Sequence, residues 1–274
     1  MNPFQNHDPL APLVSVIVAM HEGDMTYWPR ALASLRAQDM PHDQIEVLIA
    51  FDGPVTDEAA EFLESASADA DFNIELYAAE TGQEPTGYYT IPRNRALTYA
   101  HGYYIANLDV DNEFRPDHLS GLLTAIRLPG SNGAGWPHFV YSRIHYVRDE
   151  GAPENLPVGD SILVPWDKTA IASLAQGPMS NFIDTSCFLA GKSVFYALAE
   201  ATGTMWNPTV ARFGDWELVL RLALKGFRGL AVDQPSLAYH WTGKNLQLTR
   251  RADEMVALSL EQANVLREEG SLVQ

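Results

Sequence analysis

Two aspartates one residue apart follow an apolar run in the first half of the chain. Residues 103–108 read Tyr-Tyr-Ile-Ala-Asn-Leu, and Asp109 and Asp111 come directly after them. The run is typical of a buried strand, and where a strand gives way to a turn both carboxylates can converge on one point. Converging carboxylates at the carboxyl end of a strand in an α/β sheet suit a divalent cation and a phosphate-bearing ligand. The sequence therefore predicts nucleotide-dependent chemistry here.

The Asp-x-Asp spacing by itself is a weak signal, because short motifs recur by chance. Another example, Asp69 and Asp71, lies in a polar Ser-Ala-Asp-Ala-Asp stretch, which is typical of a solvated loop. The pair at Asp109 and Asp111 differs in the apolar run that precedes it. That strand context is what favours a binding site at Asp109 and Asp111.

Further apolar runs and the helices between them predict how the chain builds this site. The predicted strands before it span 13–20, 45–51 and 73–78, and the predicted helices span 31–37, 57–66 (capped by Asp57) and 93–101. This alternation is typical of a doubly wound parallel sheet, which binds ligands at the carboxyl ends of its strands. We therefore expect His21, Glu22, Asp52 and the Asp109–Asp111 pair to meet along one edge.

The pattern changes after Asp111. The predicted elements are a helix over 117–128, a strand over 139–147, a polar connection over 149–165, a strand over 182–189, a helix over 216–225 and a strand over 229–232. The stretch 246–269 is predicted to form a C-terminal helix with one apolar stripe. That stripe either packs onto the rest of the chain or forms a homodimer contact.

The composition indicates one globular unit with an acidic surface. The 274 residues suit a single large α/β unit, and the 46% hydrophobic content is typical of a folded chain. The formal net charge of −17 argues against nonspecific binding to nucleic acid or to anionic membranes, since both require a basic surface. The single cysteine, Cys187, excludes an intramolecular disulfide and fits a reducing compartment.

The chain shows no sequence signal for targeting or membrane insertion. Residues 1–12 are polar and contain proline, without a basic segment followed by an apolar core. The apolar runs fall far short of the ~20 residues that span a bilayer. We therefore expect a cytoplasmic protein without a membrane span.

Five stretches match, in order, the motifs of one enzyme family. They are the run 14–22, the turn Asp52-Gly53, the segment 92–111 from Pro-Arg-Asn-Arg to Asp-Val-Asp, the run 214–222 that begins Gly-Asp-Trp-Glu, and Tyr239-His240. In this order the chain resembles glycosyltransferase family 2, the inverting enzymes of the GT-A fold. Two positions depart from the family pattern: Gly214 stands where a Glu usually precedes the catalytic Asp, and Phe51 replaces the first Asp of the donor turn.

The resemblance implies an α/β GT-A fold, with a single Rossmann-like, doubly wound, mostly parallel sheet, acceptor-side additions and a C-terminal helix. It implies a nucleotide-sugar-binding half over residues 1–112. The acceptor-binding and catalytic half of the same domain would span 113–245, and a helical tail 246–274.

The resemblance also implies a metal-dependent transfer of a sugar, with inversion, from a nucleoside-diphosphate sugar to an acceptor hydroxyl. A UDP-sugar is the favoured donor. Mn²⁺ or Mg²⁺ would stabilise the departing diphosphate, with Asp111 as a direct ligand and Asp109 bound through water or to the ribose. His240 would complete the metal ligands. Arg93 would bind the diphosphate in bidentate fashion, or alternatively pair with an acid.

Three residues near the first two strands are candidates for contacts with the nucleotide. Asp52 would accept the imide N–H of uracil, and its alternative is an ordinary turn aspartate. Glu22 is a further candidate for the donor, and Ala19 would contribute backbone contacts alone.

The predicted helix over 216–225 carries the candidate catalytic group. Asp215 is the predicted general base, because backbone N–H groups at a helix start can orient its carboxylate. The alternative is a helix cap without chemistry. Trp216 and Glu217 are the predicted acceptor-site residues.

Two other functions stay open at this point. A nucleotidyltransferase also uses strand-end carboxylates and a metal, but it usually has a basic Gly-rich loop where this chain has Met20-His21-Glu22-Gly23-Asp24. A catalytically silent module that retains the nucleotide site is favoured by Gly214 and disfavoured by Asp215.

Overall fold

A sheet whose first strands run parallel forms the centre of the computed structural model, which describes residues 12–78, 89–128, 135–167, 182–210, 214–243 and 245. The strands are β1 (Val14–Met20), β2 (Ile45–Phe51), β3 (Asn73–Tyr77), β4 (Tyr104–Asp109), β5 (Glu113–Phe114), β6 (Phe139–Arg148), β7 (Gly159–Asp160), β8 (Phe188–Gly191) and β9 (Gly229–Trp241). The helices are α1 (Trp28–Arg36), α2 (Asp57–Ser67), α3 (Thr90–Tyr99), α4 (His118–Ile126), α5 (Lys192–Thr202) and α6 (Gly214–Leu224).

The described strands join in the order β3-β2-β1-β4-β8-β6-β9-β5, with β7 on β6. The pairs among β1, β2, β3 and β4 are parallel, whereas β8 runs antiparallel to both β4 and β6. One sheet therefore continues across the predicted boundary at residues 112 and 113.

The apolar runs β1 and β2 lie at the centre of this sheet. Every residue of both strands is buried, as expected for parallel strands that are covered on both faces. The predicted bounds of β2 are confirmed, whereas β1 begins at Val14, one residue later than predicted. Helix α2 begins as predicted at Asp57, but its cap is Thr56, whose Oγ1 accepts the N–H of Ala59 at 3.2 Å.

The second half departs further from the predicted elements. A 3-10 helix, Thr185–Cys187, occupies part of the predicted strand 182–189, so that β8 begins only at Phe188. Strand β9 continues to Trp241 although Pro235 lies within it. The register of β9 against β6 shifts in this region, and proline is tolerated at such a bulge because no ladder N–H is needed.

None of the helices in the described part of the chain combines the length and the apolar character that a bilayer crossing requires. The predicted C-terminal helix over 246–269, and the homodimer contact suggested for it, lie outside the described residues.

Candidate functional site

The carboxyl ends of three strands lie side by side, as predicted from the sequence. Ala19 near the end of β1 is the register partner of Ala50 in β2 and of Asp109 at the end of β4. The N–H of Asp52 donates to the carbonyl of Met20 at 2.8 Å. The turn after Asp52 needs a glycine, because Gly53 has a φ of 104°.

Asp109 is held from two directions at the end of β4. The guanidinium of Arg93 on α3 donates to its carboxylate, and its own N–H donates to Ser186 Oγ at 3.0 Å. Arg93 is buried, and its guanidinium lies 5.3 Å from the ring centroid of Trp206. Arg93 thus pairs with an acid, which was the alternative for it, and its contact with a diphosphate stays a prediction.

Asp111 follows in the turn after β4 and lies close to other acids. Burial and the charges of Asp109 and Asp24 raise the pKa of Asp111 to about 7, against a smaller opposing effect of Arg30. Asp24 lies after β1 and accepts the hydroxyl of Tyr89 at 2.9 Å. Ionised Asp111 is therefore costly unless a cation is bound nearby.

A further acid at the site, Asp184, was not identified from the sequence. It precedes the 3-10 helix Thr185–Cys187, and its Oδ1 accepts the N–H of Ser186 at 2.8 Å. Burial and the charges of Asp109 and Asp215 raise the pKa of Asp184 well above its ordinary value. We refer to Asp24, Asp109, Asp111, Asp184 and Asp215 as the acid cluster.

Asp215 lies in the first turn of α6. Its Oδ1 accepts the N–H of Trp216 at 2.8 Å, so the backbone of its own helix orients the carboxylate. Trp216 and Glu217, the predicted acceptor residues, are each only 1% exposed. Glu217 pairs with Arg221 at 2.7 Å. Both side chains belong to the interior in this structure, since they lie on the face of α6 that packs inward.

His240 lies among charged side chains on the other side of the Asp109–Asn112 turn. Its Nδ1 lies 2.7 Å from Asp149 Oδ1, and its Nε2 lies 2.7 Å from Glu113 Oε1. Arg30 lies 3.0 Å from Asp149 and 3.8 Å from Glu113. We refer to Arg30, Glu113, Asp149 and His240 as the charge ring. Both imidazole nitrogens face carboxylates here, and the metal-ligand role of His240 stays a prediction.

The charge ring contacts the backbone that carries Asp111. A guanidinium N–H of Arg30 donates to the carbonyl of Asp111. The N–H of His240 donates to Asn112 Oδ1 at 3.0 Å. Burial opposes the ionisation of Asp149, but hydrogen bonds from His240 and Arg30 outweigh it and hold the pKa of Asp149 below its ordinary value.

A divalent cation fits the acid cluster by charge. The described residues contain no group of three or more His, Cys, Asp and Glu side chains arranged to hold a metal ion. Mg²⁺ usually binds through one or two carboxylates together with phosphate oxygens and water, so a complete protein cage is not required. Asp109 and Asp111 are the carboxylates that would hold such a cation.

The residues predicted to contact the nucleotide lie around the same edge. Asp52 is 3% exposed, whereas Glu22 is exposed and its Oε1 accepts the hydroxyl of Thr56 at 3.0 Å. His21 stacks on Tyr89 with ring centroids 6.1 Å apart. The stack joins the end of β1 to the residue that precedes α3.

Comparison with known proteins identifies the family of this chain. The model of Glycosyl transferase family 2 matches residues 15–193. The chain belongs to glycosyltransferase family 2. It is 26% identical over 168 residues to the amylovoran biosynthesis glycosyltransferase AmsB of Erwinia amylovora. That match covers 61% of this chain and 50% of AmsB, so the chain spans about half the length of this relative.

Solved structures of glycosyltransferases share the fold of this family member. Residues 1–349 of TarS from S. aureus, in complex with UDP-GlcNAc, match 90% of this chain and 66% of that one, with a TM-score of 0.64 and 16% identity. The mannosyltransferase PcManGT from Pyrobaculum calidifontis, in complex with GDP-Man and Mn²⁺, matches 96% of this chain and 68% of that one, with a TM-score of 0.61 and 17% identity. The predicted α/β GT-A fold is confirmed.

Proposed function

We propose that this family member is a metal-dependent inverting glycosyltransferase that transfers a sugar from a UDP-sugar to an acceptor hydroxyl. The observation that carries the proposal is the acid cluster at the carboxyl ends of β1 and β4. Burial, together with the charges of neighbouring carboxylates, raises the pKa values of Asp111 and Asp184. A cation with a diphosphate would relieve this repulsion, whereas an apolar or anionic ligand alone would not.

A Mn²⁺ or Mg²⁺ ion, when bound, would neutralise the charge that develops on the departing diphosphate. Asp111 would hold it directly, because the Asp109 carboxylate already accepts from Arg93. The hydrogen bond from Arg93 fixes the orientation of the Asp109 carboxylate at the end of β4. Asp52 would accept the imide N–H of uracil from the carboxyl end of β2, with Ala19 and Glu22 beside it at the end of β1.

The acceptor hydroxyl must lose its proton as it attacks the anomeric carbon. Asp215 would take that proton as the general base. The N–H of Trp216 keeps the carboxylate in place. A single displacement, in which the acceptor oxygen bonds to the anomeric carbon as the diphosphate oxygen departs, inverts that centre.

The solved neighbours support a nucleotide-sugar donor, since TarS was solved with UDP-GlcNAc and PcManGT with GDP-Man and Mn²⁺. We favour UDP because a single carboxylate at Asp52 suits the one imide N–H of uracil. The cytoplasmic location and the absence of a nucleic-acid partner, both expected from the composition, are part of the proposal.

The test is a thermal-melt panel of UDP, GDP, CDP and TDP, each with Mn²⁺, Mg²⁺ or EDTA. A nucleotide at 100 times its dissociation constant adds about 2.7 kcal/mol, or roughly 5–10 °C for a chain of this size. We expect a shift with UDP that disappears in EDTA and in Asp111→Asn. Asp69→Asn, in the exposed Asp-x-Asp of the loop, is the matched control and should shift like the wild type.

The alternatives predict other outcomes. A catalytically silent module would show the UDP shift but release no UDP from UDP-sugars with any acceptor. A nucleotidyltransferase would form a nucleotide sugar from UTP and a sugar 1-phosphate, with release of pyrophosphate. The absence of any shift would contradict the donor site itself.

A further inference from the structure

The first turns of α3 and α6 lie so close together that only glycine fits at position 214 without a shift of the neighbouring atoms. A Cβ placed on Gly214 would lie 2.7 Å from Thr90 Cγ2, well inside van der Waals contact. Thr90 begins α3 three residues before Arg93, and Gly214 begins α6 one residue before Asp215. The contact therefore joins the helix that holds Asp109 to the helix that carries the predicted base.

Position 214 requires glycine because a Cβ atom has no room there, and not because of the backbone conformation. Gly214 does not have a positive φ, so an alanine would be conformationally acceptable there. Thr90 is 3% exposed and β-branched, and its χ1 is restricted in a helix.

A second connection joins the same two helices through the segment 204–206. Arg221 on α6 pairs with Glu217 and donates to both carbonyls of residues 204–205, at 2.9 and 2.8 Å. The neighbouring Trp206 exchanges two hydrogen bonds with the side chain of Asn94 on α3, at 2.8 and 2.7 Å. Glu217, predicted to bind the acceptor, thus helps to fasten α6 to α3.

We propose that the contact between Gly214 and Thr90 sets the distance between Asp215 and the Arg93–Asp109 pair, so that both are positioning residues for sugar transfer. This inference rests on the proposed function. It accounts for the departure from the family pattern: a glutamate at position 214 would collide with Thr90 and push the first turn of α6 away from the end of β4. In this chain the backbone of α6 and its contact with α3 orient the base.

The test uses Gly214→Ala alone and combined with two substitutions of Thr90. Thr90→Ala removes both γ atoms and leaves room for the new methyl group. Thr90→Val keeps the shape of threonine and the collision, and is the matched control. Release of nucleoside diphosphate from UDP-GlcNAc or GDP-Man, with water as the acceptor, gives kcat and KM, and the melt panel gives nucleotide affinity.

We expect Gly214→Ala to lower kcat about 10- to 100-fold, since a displacement of the base by about 1 Å is costly. Its KM and its nucleotide shift should stay near those of the wild type. Thr90→Ala should restore most of the rate in the double variant, and Thr90→Val should not. A Gly214→Ala enzyme with wild-type kcat, or a double variant that Thr90→Ala fails to restore, would overturn the inference.

The two proposals fail in different ways. If the wild type neither binds nucleotides nor releases a diphosphate, the proposed function is wrong. The contact can then still be tested through melting temperature. Alanine is intrinsically better than glycine in a helix, so a loss of stability in Gly214→Ala that Thr90→Ala cancels and Thr90→Val does not would demonstrate the collision. Additive effects in both pairs would exclude it.

Discussion

Two clusters of charged side chains contact the same turn, Asp109–Asn112, and differ in how their charges are balanced. The charge ring alternates acids and bases: Glu113 and Asp149 each face both Arg30 and His240. The acid cluster has five carboxylates, one of them Asp111, and the guanidinium of Arg93 contacts Asp109 among them. Carboxylates that lie near the same turn are thus paired with bases in the charge ring and are mostly surrounded by other carboxylates in the acid cluster.

The pKa directions express this difference. Hydrogen bonds from His240 and Arg30 outweigh burial and lower the pKa of Asp149, whereas burial and neighbouring acids raise that of Asp111 to about 7. A cluster whose charges are already paired stabilises the backbone around it. A cluster that retains uncompensated negative charge is completed by a cation, and this is why we assign ligand binding to the acid cluster and positioning to the charge ring.

The largest expected effect sharpens the assignment within the acid cluster. Asp215→Asn should lower turnover on the order of 10²–10⁴-fold, because an amide cannot take the proton of the acceptor. The amide oxygen can still accept the N–H of Trp216, so the fold and the nucleotide shift should survive. Steady-state kinetics of UDP release measure the effect, with Asp69→Asn as the control. A variant that retains more than half the wild-type rate would remove Asp215 from the base role.

An intermediate effect concerns pH and stability. The folded pKa of Asp111, about 7, lies above its unfolded value of 3.8, so the folded protein binds a proton that the unfolded chain has lost. The contribution of this group to stability is present in full below pH 3.8 and is lost as the pH rises through 7. A difference of about three between these pKa values corresponds to at most roughly 4 kcal/mol, which solvent screening reduces.

Melting temperatures between pH 5 and 8, with and without Mn²⁺, measure this effect. The metal-free wild type should lose stability with rising pH relative to Asp111→Asn, which has no carboxyl to ionise at this position. Mn²⁺ should flatten the difference, because it stabilises the ionised form. If the two proteins show parallel pH profiles without metal, Asp111 is not the strained acid that we describe.

The parts of the site that follow directly from strands could be predicted from the sequence. The apolar runs of β1 and β2 predict buried parallel strands because both faces of such a sheet are covered. The carboxyl ends of neighbouring parallel strands must meet, and this is sufficient to bring Asp52 and Asp109 to one edge. Local patterning and topology thus determine the part of the site that we propose binds the donor.

The acceptor side depends on contacts that have no local signature. Asp184 lies within the segment 182–189 that reads as a strand, and the antiparallel pairing of β8 with β4 brings it to the acid cluster. Glu217, predicted as an acceptor-site residue together with Trp216, pairs with Arg221 in the structure. Its spacing of four residues from Arg221 was a visible sign of an ion pair within the helix.

The smallest expected effect tests whether the charge ring is separate from the acid cluster or belongs to the same metal site. As a positioning group, His240 should tolerate His240→Asn with a loss of about 1 kcal/mol, typical of a side-chain hydrogen bond, or roughly 2–4 °C in melting temperature. Glu113→Gln should cost a similar amount, because it weakens the contacts of Glu113 with His240 and Arg30 in the same ring.

Neither variant should change the Mn²⁺ concentration that gives half of the UDP-dependent shift by more than about twofold, since the ring contacts the backbone of Asp111 and not the cation. If His240→Asn instead weakens Mn²⁺ on the order of tenfold or more while Glu113→Gln does not, His240 is a metal ligand as the sequence predicts. The acid cluster and the charge ring would then form one continuous site.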